Sequence, residues 1–370
     1  MKLLVDAHVF DGKFQGTRTH LEGLYKPMVR HKDVNFYFAT SNTEDLKTVF
    51  GKSENIHYLK LKTKNSMQRL AYEFSSLIKE YAIDYAHFQY ISPLQKCCKE
   101  IVTVHDILFT DYPQFFPLSY RIKNGLLFKR SAKRADILLT VSEYSRRRIA
   151  KRFDINESSI HITPNGVTIA SYKEAYCDVK SKYGLDKYIL TVSRIEPRKN
   201  HQMLLRAFFQ TRLWEKGFKL VIVGAEDLRN KKFNELYNKL PLYLRKKVIV
   251  FQAPFSELIE LYRQASLFVF PSFAEGFGIP PIEASVCGCP VLCSNATAMA
   301  EFDFFGENLF SPYDEKELER KMLCTLNSDL KDQVKKQRAE ILKRYDLNRI
   351  SDDLYRLILA DFMGKTITSF

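Results

Sequence analysis

The sequence predicts an α/β protein built from two doubly wound domains, and three observations carry that expectation. At 370 residues the chain exceeds what one ordinary core organises, so two domains of average size are expected. Short apolar, β-branched runs alternate with longer amphipathic stretches, the pattern of parallel strands joined by crossover helices. The alternation also pauses and restarts. After Pro164-Asn165-Gly166 a polar stretch runs to about Asp186 before the strands resume.

In the first half the expected strands are Lys2–Ala7, Asn35–Ala39, Ile56–Leu61, Tyr85–Gln89, Ile101–His105, Ile137–Val141 and Ile160–Thr163. Helical stretches such as Leu118–Lys133 and Glu143–Phe153 separate them. The second set is Tyr188–Val192, Leu220–Val223, Val248–Phe251, Leu267–Phe270 and Pro290–Cys293. A closing segment, Asp352–Met363, reads as an amphipathic helix with no strand after it. The domains are therefore drawn as residues 1–168 and 169–349, with a helix at about 350–370 returning to the first.

Composition narrows the class. A hydrophobic fraction of 45% and a charged fraction of 27% suit a soluble globular protein. No run of eighteen apolar residues exists, so no membrane span is expected. The opening MKLLVDAHVF is broken by Asp6 and reads as a buried strand rather than a secretory signal. Seven cysteines without framework spacing point to reduced thiols and a cytoplasmic location. Cys287, Cys289 and Cys293 cluster, but no histidine lies nearby in the sequence, and no metal is expected.

The net charge of +14 is uneven. Residues 1–170 carry 26 Lys+Arg against 17 Asp+Glu, most densely between Arg121 and Arg152. Such a surface attracts anionic lipid, phosphate-bearing substrates or nucleic acid, and a solvated helix face is the plainer alternative. No helix-turn-helix, zinc finger or aromatic RNA-binding signature accompanies it, so nucleic acid is not expected.

Four segments carry candidate chemistry. In Thr191-Val-Ser-Arg-Ile-Glu-Pro-Arg-Lys-Asn-His201 a buried strand runs through a polar turn into a helix. Ser193, Arg194 and Lys199 fall at the strand's carboxyl end, where two cations beside a helix start suit a diphosphate. In Phe270-Pro-Ser-Phe-Ala-Glu-Gly-Phe-Gly-Ile-Pro-Pro-Ile-Glu-Ala284, glycines follow an apolar strand. Gly276 and Gly278 permit close backbone approach, and the amides of Gly276, Phe277, Gly278 and Ile279 would meet a phosphate or sugar. Glu275 and Glu283, eight residues apart, are able to accept hydroxyl hydrogen bonds at the two ends of a nucleotide sugar. His105 ends the apolar strand of Thr103-Val-His-Asp-Ile107, where a structural histidine is the bland alternative. Gly16 lies in the loop Phe10-Asp-Gly-Lys-Phe-Gln-Gly-Thr-Arg18, between the first strand and first helix; alone it is a weak signal.

Together these segments resemble the family 4 glycosyltransferases of GT-B fold, over nearly the whole chain. The most specific match is the Glu275…Glu283 spacing in EGFGIPPIE with GCPVLCSN after it, then SRIEPRKNH, then PNGV at Pro164–Val167. The resemblance implies two Rossmann-like domains facing each other across a cleft. The second would bind a nucleotide-diphosphate sugar and the first a saccharide or lipid-linked acceptor. Arg194 and Lys199 would neutralise the leaving diphosphate, Glu283 would hold the ribose, and Glu275 the sugar hydroxyls. His105 would point at the sugar, and the Gly16 loop would close over the phosphates. The family retains anomeric configuration and works without a metal-binding Asp-x-Asp motif, which is absent here too. No cofactor beyond the donor substrate is implied.

Two departures stand out. The Gly16 loop has one glycine where many relatives have two, and Thr168 replaces a common aspartate. His105-Asp106 followed by Tyr112, Pro113, Phe115, Phe116 and Pro117 is similar to mannosyltransferases of bacterial polysaccharide assembly. That makes GDP-mannose the first expectation for the donor, with UDP-sugars as the alternative. The basic, aromatic-interleaved Arg121–Arg134 helix would lie on anionic lipid at the cytoplasmic face. A nucleotide-sugar epimerase, an inactive nucleotide-sugar sensor and a basic nucleic-acid-binding protein are the rival readings. The Arg194/Lys199 and Glu275/Glu283 set argues against the epimerase, the intact site residues against the sensor, and the missing recognition signatures against nucleic acid.

Overall fold

The computed structural model describes residues 1–12, 16–63, 65–168, 177–225 and 230–364. The loop residues just ahead of Gly16 and the junction expected near residue 170 lie outside these. Two compact units separate: Met1–Gly166 with Tyr345–Phe370, and Val167–Arg344.

The first unit holds a seven-stranded sheet in the order β3-β2-β1-β4-β5-β6-β7. Its strands are β1 (Lys2–Asp6), β2 (Asn35–Thr40), β3 (Ile56–Lys60), β4 (Tyr85–Gln89), β5 (Lys99–Thr103), β6 (Ile137–Thr140) and β7 (Ile160–Ile162). The second holds six strands in the order β10-β9-β8-β11-β12-β13. These are β8 (Lys187–Val192), β9 (Phe218–Val223), β10 (Val248–Phe251), β11 (Leu267–Phe270), β12 (Val291–Ser294) and β13 (Leu309–Phe310). Every pairing is parallel. Parallel strands covered on both faces need continuous apolar sequence, which is why β8, β9 and β11 read so plainly. In both sheets the strand order reverses once, between β1 and β4 and between β8 and β11. Each reversal opens a crevice at the carboxyl ends of two neighbouring strands.

Helices that matter below are α1 (Gly16–Met28), α2 (Leu118–Arg134), α3 (Glu143–Phe153), α4 (His201–Gln210), α5 (Ile279–Val286) and α6 (Leu347–Phe362). Most strand ends shift by one or two residues from the sequence expectation, and three differences matter more. Strand β5 is Lys99–Thr103, not Ile101–His105. Glu100 is only 1% exposed yet sits in the strand, because Arg134 from α2 pairs with it at 2.7 Å. His105 therefore lies two residues beyond the strand. Strand β13 was not expected, since two residues carry no periodicity. The closing helix starts at Leu347 rather than Asp352. Asp346 caps it, its side chain accepting from the Arg349 amide at 2.8 Å.

Helix α6 returns the chain to the first unit. Its buried face, Ile350, Leu354, Leu357 and Ile358, shares one core with Leu21, Leu24 and Met28 of α1. Ser351 adds a buried hydrogen bond to the Leu24 carbonyl at 2.6 Å. Leu354→Ala, at a side chain 1% exposed, is expected to cost about 2–5 kcal/mol. Urea unfolding followed by tryptophan-independent circular dichroism checks it, and an unchanged midpoint would show that α6 is not part of that core.

Candidate active site

In the second unit, the loops after β8 and β11 sit side by side at the strand-order reversal. The β8 loop carries Ser193–Lys199 and the β11 loop carries Ser272–Ile279. Four charges knit them together. Glu275 accepts from Arg198 at 2.8 Å and from Lys199 at 2.6 Å. Arg198 also pairs with Glu196 at 2.6 Å and donates to the Ala274 carbonyl. A backbone bond from the Phe273 amide to the Arg198 carbonyl, 2.9 Å, closes the join. Sequence reasoning paired Lys199 with Arg194. The structure instead places Lys199 and Arg198 on Glu275, while Arg194 sits exposed beside them.

The electrostatics follow from burial. Burial alone raises a carboxyl's pKa, but here Arg198 and Lys199 outweigh it and hold Glu275 down at about 2. Burial works the other way on Lys199. It lowers the ammonium's pKa, and the like charge of Arg198 adds to that, against the opposing pull of Glu275 and Glu196. Two cations hold Glu275 ionised, whereas burial and Arg198 outweigh the two carboxylates near Lys199.

Several neighbours fix these loops without bearing charge. Thr297 locks the Glu275 backbone, its hydroxyl accepting from the amide at 2.8 Å and donating to the carbonyl at 3.0 Å. Ser193 is held by His201 at the start of α4, hydroxyl to Nε2 at 3.0 Å. Burial pushes His201 down to about 3, so it stays neutral. Gly224, just after β9, packs against the Ser193 backbone; a Cβ there would lie 1.9 Å from the Ser193 carbonyl oxygen.

Gly276, Phe277 and Gly278 are buried, and Phe277 stacks edge-on against Phe302 at 5.7 Å. Gly278 stands ahead of α5 with φ +106°, a left-handed conformation that strains any side chain, and a Cβ there would press on Met299 at 3.2 Å and Phe302 at 3.3 Å. Ile279 begins α5. Glu283, one turn on, is 7% exposed and accepts from the Tyr262 hydroxyl at 3.0 Å. Both glutamates of the EGFGIPPIE segment are thus buried acceptors, one in the loop and one on the helix.

In the first unit Gly16 opens α1 and is exposed. His105 is 7% exposed. Its Nε2 lies 2.7 Å from the Gln89 side-chain oxygen, and its ring meets His20 edge-on at 4.9 Å. Burial, then the nearby His20 and His87, holds its pKa well below the usual histidine range. Among the described residues no group of three or more His, Cys, Asp or Glu is placed to hold a metal. Burial raises the thiols of Cys287, Cys289 and Cys293, which suits structural cysteines.

With this geometry in place, comparison with known proteins is direct. Residues 16–171 match the model of Glycosyltransferase Family 4, and residues 173–342 that of Glycosyl transferases group 1. The chain belongs to the family 4 glycosyltransferases. Relatives of this glycosyltransferase include the O-antigen chain mannosyltransferase RfbU of Salmonella typhimurium, 31% identical over 59% of the chain. The O-antigen chain mannosyltransferase B of Escherichia coli is 33% identical over 55% of the chain. The chain spans 58% and 55% of the length of these two relatives. Among solved structures, sucrose-phosphate synthase from Thermosynechococcus elongatus superposes with a TM-score of 0.78 at 17% identity, covering 98% of this chain and 99% of that one. Anabaena HepE, solved with UDP and glucose, gives 0.76 at 19% identity, covering 97% and 100%. These likenesses establish GT-B-type Rossmann-like units.

Acid tests the charge cluster. Glu275 is lowered from 4.5 to about 2, so its contribution is complete above about pH 5 and disappears as pH falls towards 2. That contribution is about 3 kcal/mol. Glu275→Gln is expected to lose it and to flatten the acid limb of stability between pH 5 and 2. A variant whose acid limb matched the wild type would remove Glu275 from the ion pairs.

Proposed function

We propose that this glycosyltransferase moves a hexose, with GDP-mannose as first-choice donor, to a saccharide or lipid-linked saccharide during cell-surface polysaccharide synthesis. The observation that carries the reading is the Glu275–Arg198–Lys199 cluster, set beside Arg194 and the Gly276–Ile279 amides at the β8/β11 reversal. Cations and amides there suit a diphosphate, while buried carboxylates suit sugar and ribose hydroxyls. The two relatives named as O-antigen mannosyltransferases support mannose and the polysaccharide setting. HepE, solved with UDP and glucose, favours a UDP-sugar as the second reading.

The chemistry assigned is transfer with retention. The bond from the anomeric carbon to the diphosphate oxygen breaks, and the acceptor hydroxyl oxygen bonds to that carbon on the same face. The acceptor proton passes to the leaving phosphate, giving a nucleoside diphosphate and a glycoside. Arg194 and Lys199 stabilise the charge growing on the leaving group, a role a metal would otherwise fill. Glu275 holds the sugar, Glu283 the ribose, and Ser193 and the 276–279 amides the phosphates. The family resemblance assigns Gly16 to the phosphates and His105 to the sugar.

Melting curves with GDP, UDP, ADP and their common sugars test the donor. A ligand at a hundred times its dissociation constant stabilises by about 2.7 kcal/mol. A shift with GDP alone supports mannose, a shift with UDP alone supports the second reading, and no shift overturns the site. Lys199→Ala is expected to lower turnover about a hundredfold or more. EDTA is expected to leave turnover unchanged; its loss would overturn the metal-free step.

Contact with membrane is part of the same proposal. Helix α2 turns Leu118, Ile122 and Leu126 outward, each more than half exposed, on the side that continues as Lys129 and Lys133. Spaced four apart, these share one face, apolar then basic, as an interfacial helix requires. Among the described residues no helix is long and apolar enough to cross a membrane. Sedimentation with phosphatidylglycerol vesicles at low salt is expected, and Ile122→Asp with Leu126→Asp should abolish it. Equal sedimentation with uncharged vesicles would overturn the electrostatic part.

A further inference from the structure

A buried polar chain runs through the first unit at the β1/β4 reversal, and it ends on His105. Tyr25 of α1 sits 2.6 Å from His87 Nδ1, and Thr103 of β5 sits 2.8 Å from His87 Nε2. The Gln89 amide nitrogen lies 3.2 Å from the same His87 Nε2, and its oxygen lies 2.7 Å from His105 Nε2. Tyr25, His87, Gln89, Thr103 and His105 are all less than a tenth exposed. The rings of Tyr90, at 5.2 Å, and His20, at 4.9 Å, pack against His105.

The direction of each bond is set by the amide. Its NH2 group donates only, so His87 Nε2 accepts and His87 carries its proton on Nδ1, towards Tyr25. The amide oxygen accepts only, so His105 must carry its proton on Nε2. Among the described residues no hydrogen bond reaches His105 Nδ1. We propose that Gln89 is a positioning residue for His105. It fixes the ring as the Nε2–H tautomer and so leaves Nδ1 as an acceptor for a hydroxyl of the bound sugar. The inference rests on the reading of His105 as a site residue.

Backbone geometry supports a deliberate placement. Tyr90, immediately after Gln89, has φ +63°, a conformation that costs an aromatic residue free energy. Its amide still bonds the Thr103 carbonyl at 2.8 Å, and its ring stacks on Phe128 of α2 at 4.7 Å. The strand therefore ends in a strained turn, held from two sides, directly beside the glutamine.

Loss of Gln89 has unequal consequences. His87 keeps Tyr25 and Thr103, whereas His105 loses the one hydrogen bond its ring makes among the described residues. The test combines long-range proton–nitrogen spectra of the histidine rings with kinetics on the full chain, using the nucleotide sugar that the melting panel selects. Wild type is expected to show His105 protonated on Nε2 with Nδ1 bare. Gln89→Leu is expected to mix the tautomers and lower kcat/KM about tenfold, the effect of one hydrogen bond. Gln89→Glu at pH 8 keeps the acceptor oxygen and is expected to restore the single tautomer and most of the turnover. A wild-type His105 protonated on Nδ1 would overturn the proposal, even if Gln89→Leu failed to fold. So would full turnover in Gln89→Leu while His105→Ala is impaired. Full turnover in His105→Ala would instead overturn the reading of His105 itself, and this inference with it.

Discussion

A carboxylate cannot stay ionised in a protein interior unless cations come in with it. Glu275 meets that condition with Arg198 and Lys199, and much of the second unit is arranged to satisfy it. Arg198 and Lys199 belong to the loop after β8, Glu275 to the loop after β11, and these strands are neighbours only because the order reverses there. The backbone bond between Phe273 and Arg198, and the Thr297 hydroxyl bridging the Glu275 amide and carbonyl, hold the loops at the separation the ion pairs need. Removing Arg198 would take the ion pair from the buried Glu196; removing Glu275 would take it from the buried Lys199, while Arg198 keeps Glu196.

The same cluster balances its own charge. Two carboxylates, Glu196 and Glu275, balance Arg198 and Lys199, so the closed network carries no net charge. Arg194, in the same loop, is exposed. Burial disfavours the Lys199 ammonium despite its two carboxylate neighbours. Arg198, bonded to Glu196, Glu275 and the Ala274 carbonyl, is the cation with least freedom to move.

Legibility from sequence varied with the physics behind each feature. Buried parallel strands must be apolar on both faces, so β4, β10 and β11 were read to the residue. Strand β5 was misplaced because its first two residues are Lys99 and Glu100, and only the distant Arg134 makes a buried Glu100 tolerable. Helix α6 was started late because Leu347, Ile350 and Asp346 offer a cap but little periodicity. The chemistry-bearing segments were visible, since glycines and charges at strand ends have few other uses. Arg198 was not singled out: it lies between Glu196 and Lys199, and nothing in a run of charges says which one turns inward. Gly224 was invisible for a different reason. Its role is a steric fit against Ser193, which sequence does not encode locally.

The two units differ in how they bury most of their polarity, although the first also buries one ion pair, Glu100–Arg134. The second buries full charges and compensates them in pairs. The first buries His20, His87 and His105, all held neutral by burial, and satisfies His87 and His105 with Tyr25, Gln89 and Thr103. His201 follows the first pattern inside the second unit. The charges that confront a ligand near neutral pH are therefore carried by arginine, lysine and glutamate. Glu275 titrates near 2, and none of the four buried histidines titrates in the physiological range. Across neutral pH, then, neither the Glu275 carboxylate nor the buried histidines change charge.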